Sequence, residues 1–126
     1  MNIAAATDTR SLFEDVTKWM GFDREQLRVL LQEKLQRPVR PDQINWYLDR
    51  RSDVPGEWWE AIRAYHFFMQ MNVVNFLEEW AEHSKHNDDL KRHVTLSADF
   101  EGAPTKPFLM QCALMLPERV KVYTPA

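Results

Sequence analysis

The sequence predicts a mainly α chain (α+β), four helices followed by a small antiparallel β appendage, and three observations predict it. Apolar residues recur at intervals of three and four along most of the first 86 positions. Prolines and capping residues interrupt that pattern at places where helices end and begin. Near Val94 the period changes from helical to alternating. The expected division is a helical domain over residues 8–87 and a β appendage over residues 88–126.

A first helix is expected from Thr9 or Asp8 as its cap to about Met20, with Leu12, Phe13, Val16, Trp19 and Met20 on its apolar face and Gly21 after it. Asp23 then suits the cap of a second helix, with Gln26 placed to return the capping-box bond and Leu27, Leu30, Leu31 and Leu35 on the buried face. Pro38 and Pro41 lack amide donors and restrict the residues before them, so a tight connection must follow. Pro41 fits the first position of a third helix, ended by Arg50 and Arg51, in which Ile44, Tyr47 and Leu48 face inward while Asp42, Gln43, Asn45, Trp46 and Asp49 face away.

After the turn Asp53-Val54-Pro55-Gly56, a long fourth helix should reach about His86. Sixteen of the twenty-four residues from Trp58 to Ala81 are apolar or aromatic, more than one face on a small domain needs, so part of this helix is expected to meet a second chain. Beyond Asn87-Asp88-Asp89, strands are expected over Val94–Phe100, Phe108–Leu116 and Val120–Tyr123.

Composition narrows the function. Fifteen aromatics against three glycines make a core-forming chain, and the single cysteine, Cys112, cannot form an internal disulfide. With no basic and apolar leader at its start and no long apolar run, a reduced, cytoplasmic location is expected. The net charge of −3 argues against a wholly nucleic-acid-coated surface, which leaves a local basic face. Residues 24–51 supply one, with seven basic residues against four acidic, while the remainder of the chain is acidic.

The most informative stretch is RPVRPDQINWYLDRRSDVPGEWWEAI, residues 37–62, preceded by the helix REQLRVLLQEKLQ. The order Ile44, Asn45, Trp46, Tyr47, Leu48, followed by a polar turn and Pro55, resembles the helix-turn-helix of Cro-like and phage-repressor DNA-binding domains over about residues 22–65. The connection from Leu35 to Ile44 is about three residues longer than is usual in that family, and Gln36 stands where the family often has glycine. The resemblance implies double-stranded DNA as partner, with Arg37, Arg40, Asp42, Gln43, Asn45, Trp46, Arg50 and Arg51 at the interface. Gln43 and Asn45 can each bind adenine with two hydrogen bonds, Arg40 can pair with guanine, and the arginines flanking the helix can reach phosphates. Asp42 and Asp49 repel phosphates unless they accept from cytosine or orient an arginine. Trp46 can stack, touch a thymine methyl or sit at a protein interface if it points outward, whereas a rotated helix would bury it.

Other chemistry is poorly represented. Glu79, His83 and His86 share a helix face, but a structural zinc site would want further thiolate or imidazole ligands, so an exposed polar helix end is the expectation. The chain has no glycine-rich phosphate loop, Gly-x-Ser-x-Gly or Cys-x-x-Cys, and neither an enzyme nor a cofactor is expected.

Paired reading of half-sites implies a homodimer. Trp58, Ile62, Tyr65, Met69, Phe76 and Trp80 form the stripe expected at its interface, with a second stripe through Trp59, Val74, Leu77 and Ala81. The expected function is a transcriptional regulator, most simply a homodimeric repressor of phage, plasmid or other mobile-element type acting on an inverted-repeat operator. The alternative is a protein-interaction module such as an antitoxin, inhibitor or adaptor using the same helical surface.

Overall fold

In a computed structural model, the structure describes residues 11–50, 53–96 and 105–123. The helices α1 (Phe13–Trp19), α2 (Arg24–Leu35), α3 (Pro41–Arg50) and α4 (Gly56–Ser84) are followed by a short 3-10 turn (Asp88–Lys91), strand β1 (His93–Thr95), helix α5 (Thr105–Met115) and strand β2 (Lys121–Tyr123). The chain is therefore mainly α. It groups into two compact units, one ending at Ile62 and the other starting at Arg63, so α4 gives its first turns to the former and the rest to the latter.

In the first unit, α1 buries only part of the face its periodicity suggested. Phe13, Thr17 and Met20 are buried, whereas Leu12 and Trp19 are exposed. The Thr17 hydroxyl donates to the Glu14 carbonyl at 2.9 Å, which satisfies the one polar group on that inner face. The Ser11 hydroxyl accepts from the Phe13 amide; Thr9 and Asp8 lie outside the described residues. The Asp23–Gln26 capping box forms as expected, and Leu27, Leu30 and Leu31 are buried while Leu35 is half-buried.

Phe13 is central to this unit. Its ring meets Trp58 at 5.9 Å and Trp59 edge-on at 5.2 Å, and Trp58 also meets Tyr47 at 5.0 Å. The opening turns of α4 are thereby fastened to α1 and α3 by aromatic contacts, whose geometry adds to what area burial alone supplies.

The second unit contains the principal correction. Phe108–Leu116, expected as a strand, lies almost wholly in α5, with Phe108, Cys112 and Leu116 buried at helical spacing. A short apolar run fits a buried strand or a buried helix equally well by periodicity, and this one is built from Leu, Met and Ala rather than β-branched residues. The sheet changes with it. Only two strands pair among the described residues, and they run parallel with Val94 opposite Val122. An intervening helix returns the chain to the same end of the sheet, so the predicted antiparallel arrangement does not form. The expected strand over Val94–Phe100 is limited to His93–Thr95, with Leu96 buried beyond it; residues 97–100 lie outside the described residues.

The stripe expected to join two chains faces inward instead. Trp58, Ile62, Tyr65 and Met69 are buried in their own chain, and Phe76 and Trp80 are half-buried. The Met69 sulfur accepts from Gln111 Nε2 of α5, and the Trp80 indole donates to the Leu90 carbonyl at 2.8 Å. Helix α4 has two apolar faces, and sequence spacing alone did not decide which one the chain would cover. Of the second stripe, Val74 and Ala81 are exposed, while Trp59 and Leu77 are half-buried.

Burial has a chemical consequence at Cys112. The side chain is fully buried and desolvation pushes its thiol up to about 11 from an ordinary 9.0; burial likewise pushes the Tyr65 phenol up to about 12 from 10.0. Cys112 should resist iodoacetamide at pH 8 in the native protein and react fully in urea, while rapid native alkylation would contradict its placement. Each group is neutral when protonated, so its contribution to stability is full below its ordinary value and is lost as pH rises from 9 to 11 for Cys112 and from 10 to 12 for Tyr65.

Candidate nucleic-acid interface

Helix α3 is one-sided. Ile44 and Leu48 are buried and Tyr47 is half-buried, whereas Asp42, Gln43, Asn45, Trp46, Asp49 and Arg50 are exposed. That orientation follows from the i, i+4 spacing of Ile44 and Leu48, which seat α3 on α2 and leave the opposite face to solvent.

The connection ahead of α3 is held by side chains. Gln36 adopts a left-handed conformation, φ 56°, the role glycine usually fills, and its side-chain Nε2 donates to the Glu33 carbonyl at 2.7 Å. Gln32 Oε1 accepts from the Val39 amide at 3.2 Å, Arg28 Nη1 donates to the Val39 carbonyl at 3.2 Å, and the Val39 side chain is buried. The longer connection is thus a pinned segment that delivers Pro41 to the start of α3. Gln43 Oε1 accepts from the Arg40 amide at 2.9 Å, supplying an acceptor at the N-terminus of the helix.

Around this face the arginines have carboxylate or aromatic partners. Arg40 lies against Asp42 at 3.1 Å, Arg37 pairs with Glu57, and the Arg50 guanidinium lies 4.4 Å from the centre of the Trp46 ring. Trp46 faces outward, about half exposed, and meets Tyr47 edge-on. Arg51 lies outside the described residues. The structure thus brings Asp42, Gln43, Asn45, Trp46 and Arg50 onto one helix, with Arg40 just before it and Arg37 beside the start of α4.

Arg24 is the residue that sequence reading undervalued. From the first position of α2 its Nη1 donates to Asn45 Oδ1 at 2.9 Å and to Asp49 Oδ1 at 2.7 Å, while its Nη2 lies 3.2 Å from Glu14 of α1. The hydrogen bond to Asp49 holds the guanidinium above its ordinary pKa against the opposing pull of desolvation, with the charge of Glu14 adding to the rise. One side chain therefore ties three helices together and orients Asn45. Sequence gave it only a charge and a place outside the apolar pattern, because its partners are 10, 21 and 25 positions away.

An open, polar cavity of about 270 Å³ adjoins this network, lined by Ser11, Glu14, Lys18, Arg24, Tyr47 and Asp49 among others. Its walls include Glu14, Arg24 and Asp49, already paired across the three helices. Among the described residues no three His, Cys, Asp or Glu side chains converge as metal ligands, and no helix is long and apolar enough to cross a membrane. Comparison with family models, curated proteins and solved structures finds no match.

Proposed function

We propose that the chain is a sequence-specific double-stranded DNA-binding regulator in which α2 and α3 form a helix-turn-helix and α3 enters the major groove. The observation supporting this reading is the division of α3 into a buried aliphatic edge, Ile44 and Leu48, and an exposed edge carrying Gln43 and Asn45. An amide oxygen has two acceptor positions, so Asn45 keeps one acceptor and both Nδ2 donors for an adenine edge while Arg24 holds it in place. The ion pairs of Arg37 and Arg40 are exposed, and exposed pairs contribute little, so these side chains can exchange carboxylates for phosphates when DNA arrives. Two copies reading an inverted repeat would act as a cytoplasmic repressor by occupying an operator; the phage or mobile-element type follows from the sequence resemblance alone.

The second reading, a protein-interaction module, draws on the same ion pairs. Arg24, Arg37 and Arg40 each contact a carboxylate, which leaves the α3 surface nearly balanced in charge and favourable to a polar protein partner as well. A mobility-shift assay with duplex DNA from upstream of the chain's own gene separates the two. DNA regulation requires a salt-sensitive, sequence-dependent shift at micromolar protein, and its absence would remove this reading.

A further inference from the structure

Helix α4 covers one apolar face with its own chain and leaves another open. Within the second unit, Phe67, Met71 and Val74 are 64%, 47% and 47% exposed. With Ala64 before them and Glu78 after them, all exposed, they recur at steps of three, four, three and four, the spacing of a seam along which two helices pair. Helix α5 also exposes Met110, Leu114 and Met115, but residues 107–116 carry no charge that could set a register.

Charge on α4 does set one. Arg63 stands at one end of the stripe and Glu78 at the other, ~23 Å apart at helical rise. When the helix is laid antiparallel against a copy of itself about a two-fold axis between Gln70 and Met71, Arg63 meets the copy's Glu78 and Phe67 meets its Val74. Ala64 then falls opposite Leu77 in the copy. Every pairing occurs twice, as a two-fold interface requires, and opposite charges meet at both ends. A parallel pairing would place Arg63 beside Arg63 and Glu78 beside Glu78.

We propose that the occupant of this face is a second copy of the chain, paired antiparallel through Ala64, Phe67, Met71 and Val74 and held in register by Arg63 and Glu78. This seam rests on the two-copy part of the proposed function and not on DNA reading, so its test omits DNA. Sedimentation equilibrium of the full chain at micromolar concentration should give a two-chain mass. Met71→Glu and Val74→Glu should each reduce it to the single-chain mass with an unchanged far-UV circular dichroism spectrum, since both positions are solvent-facing. Arg63→Glu and Glu78→Arg should each raise the dissociation constant about tenfold, and the two together should restore association. If the glutamate variants lose helix, this charge exchange decides the question alone. A single-chain mass for the unaltered protein would overturn both the seam and the two-copy reading. A two-chain mass that persists in both glutamate variants, or a charge exchange without recovery, would overturn the seam alone.

Discussion

Phe13→Ala is expected to destabilise the first unit by about 3–5 kcal/mol, the range for removing a large aromatic side chain from a packed core. The ring is fully buried and touches both Trp58 and Trp59, so its loss opens space that those two indoles cannot readily fill. Helix α1 has only seven residues, too few to persist in water by itself, so its place depends on this contact and on Met20. Urea unfolding followed by tryptophan fluorescence measures the change. Leu12→Ala and Trp19→Ala, on the outer face of the same helix, should each alter stability by less than ~0.5 kcal/mol. Equal losses from all three changes would mean that α1 buries the face its sequence spacing first suggested.

The second large effect concerns binding. On a duplex carrying the preferred sequence, Gln43→Ala and Asn45→Ala should each reduce discrimination against random DNA by ~1–3 kcal/mol, the value of a two-bond contact with a base edge. Arg50→Ala should weaken both DNAs alike and lower the slope of affinity against salt, because a phosphate contact carries no sequence information. Asn45→Ala leaves Arg24 its bonds to Asp49 and Glu14, so the three-helix tie survives and thermal stability should change little. Gln43→Ala also removes the acceptor at the Arg40 amide and should lower stability by about 0.5–1.5 kcal/mol, the net value of one hydrogen bond. Fluorescence anisotropy with a specific and a random duplex separates these effects. Uniform losses on both duplexes from Gln43→Ala, Asn45→Ala and Arg50→Ala would contradict the assignment of base-reading residues.

Local signals in the sequence were reliable where the physics was local. The Asp23–Gln26 box, the start of α3 at Pro41 and its outward face all follow from capping chemistry and spacing within a few residues. The errors came where the choice belonged to tertiary packing. Leu12 and Trp19 are as apolar as Phe13 and Met20, and only the position of Trp58 and Trp59 decides which face of α1 is covered. Phe108–Leu116 has no polar residue except Gln111 to reveal its period, and that residue is drawn to Met69 across the unit. For the candidate site, exposed positions on α3 were legible, but their partners were not. Arg24 and Asn45 lie on consecutive helices 21 positions apart, and their bond depends on the angle at which α2 and α3 meet.

The most direct test is a mobility-shift titration of the full chain with its upstream duplex and with a scrambled duplex of equal length and composition, at two salt concentrations. The account predicts a shift at micromolar protein or below that favours the upstream duplex, weakens as salt rises, and loses its preference in the Gln43→Ala/Asn45→Ala variant while salt-sensitive binding persists. Identical binding to both duplexes by the unaltered protein, or no binding to either, would contradict the claim that the exposed edge of α3 reads DNA.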